Sequence, residues 1–270
     1  VLALFLGLGS GCAYVAPAHV PIDVEWAHGS IAPRKDLVVF LPGIGDAPED
    51  FVAHDFVRLL QARHPNVDAV LVGAYFNYYR SGSIVTRLYD DVILPAKKQG
   101  YERIYVVGIS LGGLGAVSLA TEHPDAVDGL LLLSPYLGEQ DVVGEIERAG
   151  GLAKWSRGTG GKHGLERRVR DNWAFLKAHA RGTATPRLLL GYGTEDRFSR
   201  ALDLLAVELP QAQVRTRPGI HDWKAWTPLY VELLDQLVPR RPPQGDPRAP
   251  ALPAPEGRTA VTSPSSQSRL

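Results

Sequence analysis

Ile104-Tyr105-Val106-Val107-Gly108-Ile109-Ser110-Leu111-Gly112-Gly113 is the stretch that decides the fold of this chain. An apolar run rich in β-branched residues enters Gly-x-Ser-x-Gly, and small residues (Gly113, Gly115, Ala116, Ser118, Ala120) then continue at helix-compatible spacing. The order is strand, sharp turn, helix. A serine at such a turn is forced into strained backbone geometry and its hydroxyl projects from the end of the sheet. Glycines flank it because side chains there would collide with neighbouring backbone. With 28 glycines and 13 serines in 270 residues, the bare pattern arises in roughly one shuffled chain in seven. Context therefore carries the reading of a nucleophile, against the plainer role in which Ser110 caps a glycine-rich helix start.

On either side of this stretch the same rhythm repeats. Ile22–Trp26 alternates apolar and polar residues, as a half-exposed edge strand does, whereas Leu37–Leu41 is apolar throughout, as in a strand covered on both faces. Pro42-Gly43-Ile44-Gly45-Asp46 breaks that strand, and Pro48–Arg63 reads as one amphipathic helix with Phe51, Phe56, Leu59 and Leu60 inward. Further strands are expected at Ala69–Gly73, Ile104–Val107, Gly129–Leu133, Arg187–Gly191 and Val214–Arg217, and helices at Thr86–Lys98, Ser199–Leu209 and Trp223–Leu237. Alternation of this kind predicts an α/β fold with a doubly wound, mostly parallel sheet whose ligand site lies beyond the carboxyl ends of the strands.

The rhythm lapses over 138–183, where glycines surround an expected helix at Leu165–Ala178, and this segment is read as a lid-like insertion. Residues 20–238 are assigned to one catalytic-sized domain. From Pro239 to Leu270 the chain is rich in Pro, Ser and Arg and reads as a disordered tail.

Formal net charge is zero, but the segment from Pro239 carries five Arg against Asp246 and Glu256, which leaves the preceding body at −3 by subtraction. That balance gives no basis for a nucleic-acid partner. A single cysteine, Cys12, excludes an intramolecular disulfide and a cysteine-rich zinc site. No His-Glu-x-x-His occurs, and Pro48 spoils a dinucleotide fingerprint beginning at Gly43. No metal or other cofactor is expected.

Val1–Leu8 is apolar and is followed by Gly9-Ser10-Gly11-Cys12. Residues 1–12 are similar to the end of a bacterial lipoprotein signal peptide, which implies export and membrane attachment through a lipidated Cys12. An ordinary cleaved signal peptide, or a cytoplasmic protein, are the alternatives.

A serine hydroxyl is a weak nucleophile near neutrality unless a base takes its proton and an acid orients that base. Gly191-Tyr192-Gly193-Thr194-Glu195-Asp196 follows one expected strand, and Pro218-Gly219-Ile220-His221-Asp222-Trp223 follows the last. Both come after Ser110, in the order serine, acid, histidine. Ser110, Asp196 and His221 are therefore the candidate catalytic triad. Asp222 adjoins His221, where the two side chains diverge, and Glu195 points differently from Asp196. The amides of Leu111, next to Ser110, and of Ile44 or Gly45, after Leu41, are candidate oxyanion donors. Tyr75-Phe76-Asn77-Tyr78-Tyr79 sits past a strand end, where aromatics line a pocket or pack the insertion.

With these segments in hand, the chain resembles the α/β-hydrolase superfamily over roughly residues 35–238. Leu-Pro-Gly-Ile-Gly stands where many members carry His-Gly and an oxyanion donor, with Pro42 in place of the histidine. Gly-Ile-Ser-Leu-Gly-Gly resembles the nucleophile elbow, Gly-Thr-Glu-Asp the acid segment, and Gly-Ile-His-Asp-Trp-Lys-Ala-Trp the histidine segment. The last is loosely similar to carboxylesterases of the esterase D and mycolyltransferase type. The resemblance implies a serine esterase acting on a small-molecule ester through an acyl-enzyme on Ser110. A thioesterase, amidase or acyltransferase would use the same residues, and a non-catalytic, lipid-anchored binding protein on this fold would show a broken triad.

Overall fold

Each continuous apolar run becomes an interior strand: β2 (Asp36–Leu41), β3 (Val67–Val72) and β5 (Gly129–Leu133) are buried along their whole length. The computed structural model describes residues 17–138, 140–159, 164–180 and 186–240. With β1 (Val24–Ala27), β4 (Arg103–Ile109), β6 (Arg187–Gly193) and β7 (Val214–Arg217) they form a seven-stranded sheet in the order β1-β3-β2-β4-β5-β6-β7. Only the edge strand β1 runs antiparallel, Val24 facing Val72. Every other pairing is parallel, which requires crossovers and so places helices on both faces.

Alternate residues of a strand serve the two faces. Leu37, Val39 and Leu41 of β2 join one core, Val38 and Phe40 the other. The second core is closed by α1 (Pro48–Ala53), α2 (Phe56–Arg63) and α10 (Trp223–Leu237), through Phe51, Phe56, Leu60, Leu229 and Leu233. The first is closed by α4 (Ile84–Leu88), α5 (Leu94–Lys98), α6 (Leu111–Glu122), α7 (Gln140–Arg148), α8 (Gly164–Ala180) and α9 (Ser199–Ala206). A short α3 (Phe76–Arg80) follows β3. The doubly wound, mostly parallel α/β architecture expected from the alternation is the one observed.

Three local departures have physical causes. The single helix expected over Pro48–Arg63 is broken at His54–Asp55, where Asp55 takes a left-handed φ of 66°. Phe51 and Phe56 both pack on Phe40, at ring separations of 5.0 and 6.3 Å, and residues five apart on an unbroken helix diverge by about 140°. Between α4 and α5 the helix passes through a π turn, Tyr89–Ile93, because Pro95 has no N–H to offer the Asp91 carbonyl.

In the 138–183 segment α7 was not expected at all. Its Val142, Val143 and Ile146 are buried, as are Trp155, Val169, Trp173 and Leu176 further on, so these parts of the insertion belong to the first core. Trp173 also donates its indole N–H to the Leu137 carbonyl at 2.8 Å.

The described residues up to Pro239 form one compact unit. The signal-like segment with Cys12, the Gly160–His163 part of the insertion and the tail beyond Arg240 lie outside the described residues. Among the described residues, no helix is long and apolar enough to cross a membrane.

Candidate active site

Ser110 stands between β4 and α6 with φ 50° and ψ −113°, a left-handed backbone that a non-glycine residue adopts only when its surroundings force it. Those surroundings are backbone. A Cβ on Gly112 would lie 2.1 Å from the Leu41 carbonyl oxygen, and one on Gly108 would lie 2.6 Å from the Gly112 carbonyl oxygen. Gly113 is pressed against Pro135 in the same way, with 2.5 Å to its Cβ. The glycines of the motif thus let α6 start directly against the ends of β2 and β4. Ser110 is further pinned by its N–H to the Leu133 carbonyl (3.0 Å) and by the Tyr136 N–H to its own carbonyl (2.8 Å).

The histidine and the acid arrive on two loops that lie backbone against backbone. A Cβ on Gly193 would stand 2.2 Å from the Gly219 carbonyl oxygen, Thr194 N–H donates to the Arg217 carbonyl (2.8 Å), and Glu195 N–H donates to the Gly219 carbonyl (3.0 Å). This crossing brings His221 beside Asp196, with Nδ1 to Oδ2 at 2.8 Å, and directs Nε2 at Ser110 Oγ, 3.0 Å away. An ionised carboxylate only accepts, so Nδ1 carries the proton and the Nε2 lone pair faces the serine hydroxyl. Ser110 and Asp196 are each 3% exposed.

Burial alone would hinder the ionisation of Asp196. Hydrogen bonds from His221, Ser134 and the Phe198 N–H, the last at 2.8 Å to Oδ1, outweigh it and hold the carboxyl below its ordinary range. Ser134 is itself fixed, since its Oγ accepts the Trp226 indole N–H at 2.9 Å, leaving its own proton for Asp196. The imidazole edge-packs between Phe198 and Trp226, at ring separations of 4.8 and 4.9 Å.

The other two carboxylates near the histidine are occupied differently. Asp222 caps α10, its Oδ1 accepting the Ala225 N–H at 3.1 Å, and Glu195 is exposed. Of the candidate oxyanion donors, Leu111 is the first residue of α6, where N–H groups have no intrahelical acceptor, and both Leu111 and Ile44 line the same cavity as Ser110. Gly45 follows with φ 84° and open space where a Cβ would be.

The turn carrying Ile44 is held by a residue that sequence reading passed over. Asp46 accepts hydrogen bonds from the Gly43 N–H and the Trp223 side chain, so the loop after β2 is tied to the start of α10. Burial and the neighbouring Asp50 nonetheless leave the Asp46 carboxyl above its usual range.

In front of Ser110 opens a cavity of about 590 Å³, walled by Phe76, Tyr79, Leu111, Tyr136, Leu165 and Phe198. The aromatic run after β3 is therefore divided. Phe76 and Tyr79 face the cavity, while Tyr78 is fully buried and exchanges hydrogen bonds with the His19 backbone at 2.7 and 3.1 Å. Ser134 and Phe198 had no motif to announce them, and Trp226 closes the histidine segment without any sign there of its bond to Ser134. The available signal for Ser134 was its place just past the carboxyl end of β5.

Residues 93–237, more than half of the chain, match the model of the Esterase family, described as "Putative esterase". A sequence search of curated proteins gives no match. Solved structures share the fold. Est1E from Butyrivibrio proteoclasticus is 19% identical, aligned over 80% of this chain and 92% of its own with a TM-score of 0.56. FphF, a fluorophosphonate-binding serine hydrolase of Staphylococcus aureus, is 16% identical over 77% and 85% with a TM-score of 0.54. A monoacylglycerol lipase of Paleococcus ferrophilus is 19% identical over 80% and 98%, TM-score 0.53.

Proposed function

We propose that this chain, which belongs to the esterase family, hydrolyses carboxylic esters through an acyl-enzyme on Ser110. The observation that carries the reading is the continuous line from Asp196 Oδ2 through His221 to Ser110 Oγ, at 2.8 and 3.0 Å. Nε2 takes the hydroxyl proton as Oγ attacks the ester carbonyl. The imidazolium so formed keeps its Nδ1–H on Asp196, whose ionised state the buried hydrogen bonds favour.

Charge developing on the carbonyl oxygen is received by the N–H groups of Leu111 and Ile44, the two candidate donors whose residues border the cavity. Nε2 then hands its proton to the leaving alcohol, which departs as the tetrahedral intermediate collapses. Water enters by the same sequence in reverse roles and releases the acid. Asp46 acts as a positioning residue in this scheme, fixing the turn that presents the Ile44 amide.

A fluorophosphonate probe followed by peptide mapping tests the nucleophile. The expected result is label on Ser110, abolished in a folded Ser110→Ala variant that also fails to turn over a panel of esters of rising acyl length. Label elsewhere, or a folded wild type that neither labels nor hydrolyses any ester, overturns the reading. The attachment of lipid to Cys12, and with it an exported location, is a separate proposal resting on the sequence of residues 1–12. Mass spectrometry of mature protein from a bacterial host decides it, an unmodified peptide running through Gly11-Cys12 being the contrary result.

A further inference from the structure

We infer that the ester this site accepts carries an anionic group, a carboxylate or phosphate, away from the scissile bond. The inference rests on the esterase reading above and concerns the cavity in front of Ser110. Three charged side chains line that cavity among the described residues, and all three are arginines: Arg80 at the end of α3, Arg168 on α8 and Arg197 in the loop after β6. They come from separate elements and line one cavity, with Arg80 and Arg197 exposed to solvent. Among the described residues, none that lines it is acidic.

Most of the described arginines elsewhere are matched to carboxylates, as Arg170 is to Glu145 and Glu166, Arg87 to Asp90 and Asp91, and Arg217 to Glu232, whereas Arg187 and Arg215 bond to backbone carbonyls. At the pocket Arg168 follows that habit, pairing with Glu122 at 3.1 Å and donating to the Gly82 carbonyl at 3.3 Å. Arg80 and Arg197 do not. Among the described residues neither has a carboxylate within 4.0 Å.

Arg197 is held instead by a ring: its guanidinium carbon lies 4.9 Å from the centroid of Phe198, the residue that edge-packs on His221. A cation placed over an aromatic face keeps its N–H donors free for a second partner. The result is a positive entrance on a body whose formal charge before Pro239 is −3, leading to apolar and aromatic walls that suit the rest of the ester. Guanidinium groups recognise carboxylate and phosphate oxygens in pairs, and a cleft of one sign concentrates substrates of the other.

Two matched pairs of esters test this, each corrected for spontaneous hydrolysis. For an anion on the acyl side, mono-para-nitrophenyl adipate is set against para-nitrophenyl hexanoate. For an anion on the alcohol side, para-carboxyphenyl butyrate is set against para-carbamoylphenyl butyrate. In at least one pair the anionic member should have kcat/KM about tenfold higher at low ionic strength, shrinking towards parity in about 0.5 M salt. The pair that responds identifies the end that meets the arginines.

The double variant Arg80→Gln/Arg197→Gln should bring the anionic-to-neutral ratio to about one. Arg80→Lys/Arg197→Lys, which keeps the charge, should retain most of the preference. Turnover of the neutral esters with no anionic preference in either pair overturns the proposal while leaving the esterase reading intact. A preference that survives both the glutamines and the salt overturns it as well. If wild type takes fluorophosphonate label on Ser110 yet turns over none of the four esters, this inference is overturned while the esterase reading stands; if it neither labels nor hydrolyses any ester, both fall together.

Discussion

The two halves of the candidate active site are built on opposite principles. On the side of Ser110, Asp196 and His221, backbone meets backbone: a Cβ on Gly112 or Gly193 would stand 2.1 or 2.2 Å from a carbonyl oxygen, and the polar atoms of the triad are matched by named partners. On the side of α3 and the first turn of α8, the cavity is bounded by exposed side chains such as Arg80 and Leu165, and Gly164 has open space around its Cβ position. Chemistry tolerates misplacement of only a fraction of an ångström, whereas choice of substrate is a matter of which side chains stand at the rim. The difference teaches where substitution should abolish turnover and where it should redirect it.

The largest contrast lies in the reaction itself. Ser110→Ala should lower ester kcat by about 10⁴ to 10⁶, and Asp196→Asn by about 10⁴, roughly 5 kcal/mol, with the fold retained. Glu195→Gln and Asp222→Asn, the neighbouring carboxylates, should each cost about tenfold or less. Steady-state kinetics on the four purified variants measures this, and near-normal turnover in Asp196→Asn would break the assignment of the acid.

Stability should divide along the same line. Gly112→Ala forces a methyl group into the Leu41 carbonyl and should cost at least about 3 kcal/mol in urea unfolding, or prevent folding. Gly164→Ala meets no neighbour among the described residues, so its φ of 60° is what resists the change, for about 1 kcal/mol. Equal costs at the two positions would remove the distinction.

Acid titration sharpens the comparison within the rigid half, because its two carboxylates are shifted in opposite senses. Asp196 is held below the ordinary aspartate value of 3.8, so its contribution to stability is present above that pH and is lost as pH falls through the lower folded value. Asp46 is held above 3.8, so its contribution is present below that pH and disappears as pH rises through the raised folded value. Asp196→Asn should therefore flatten the loss of stability on the acid side, whereas Asp46→Asn should gain stability relative to wild type at neutral pH. Urea unfolding followed across about pH 3 to 7 gives both slopes.

The smallest expected effect separates capping from catalysis. Asp222→Ala removes the side-chain acceptor for the Ala225 N–H and should cost about 1 kcal/mol in stability, with kcat within about tenfold of wild type. Thermal melting and kinetics on the same preparation measure the two together.

Much of the fold was legible because its signals are local. Leu37–Leu41 and Gly129–Leu133 read as buried strands from composition alone, and the glycines around Ser110 announced a turn that only close backbone contact explains. What escaped was of two kinds. Val142, Val143 and Ile146 carry a helical stripe in α7, but the glycines on both sides drew attention to a lapse in rhythm instead. The break at Asp55 carries no glycine or proline, and is dictated by Phe51 and Phe56 both seeking Phe40.

At the site, the order serine, acid, histidine and the loops bearing them could be read along the chain. Ser134 hydrogen-bonding Asp196, Trp226 donating to Ser134, and Asp46 tying its turn to Trp223 could not. Each joins residues more than sixty positions apart, and none leaves a periodicity to find.

The contact between Gly193 and Gly219 constrains how this molecule can be recombined. Because Gly193 has no room for a side chain against the Gly219 carbonyl, and the Thr194 and Glu195 N–H groups bond to Arg217 and Gly219, the loop bearing Asp196 and the loop bearing His221 fit one another as a matched pair. A chimera whose crossover falls between β6 and β7 would combine loops from different parents, and would inherit the residues of a triad without its spacing. Crossovers on the N-terminal side of β6 keep the pair together, and they are where shuffled libraries should be cut.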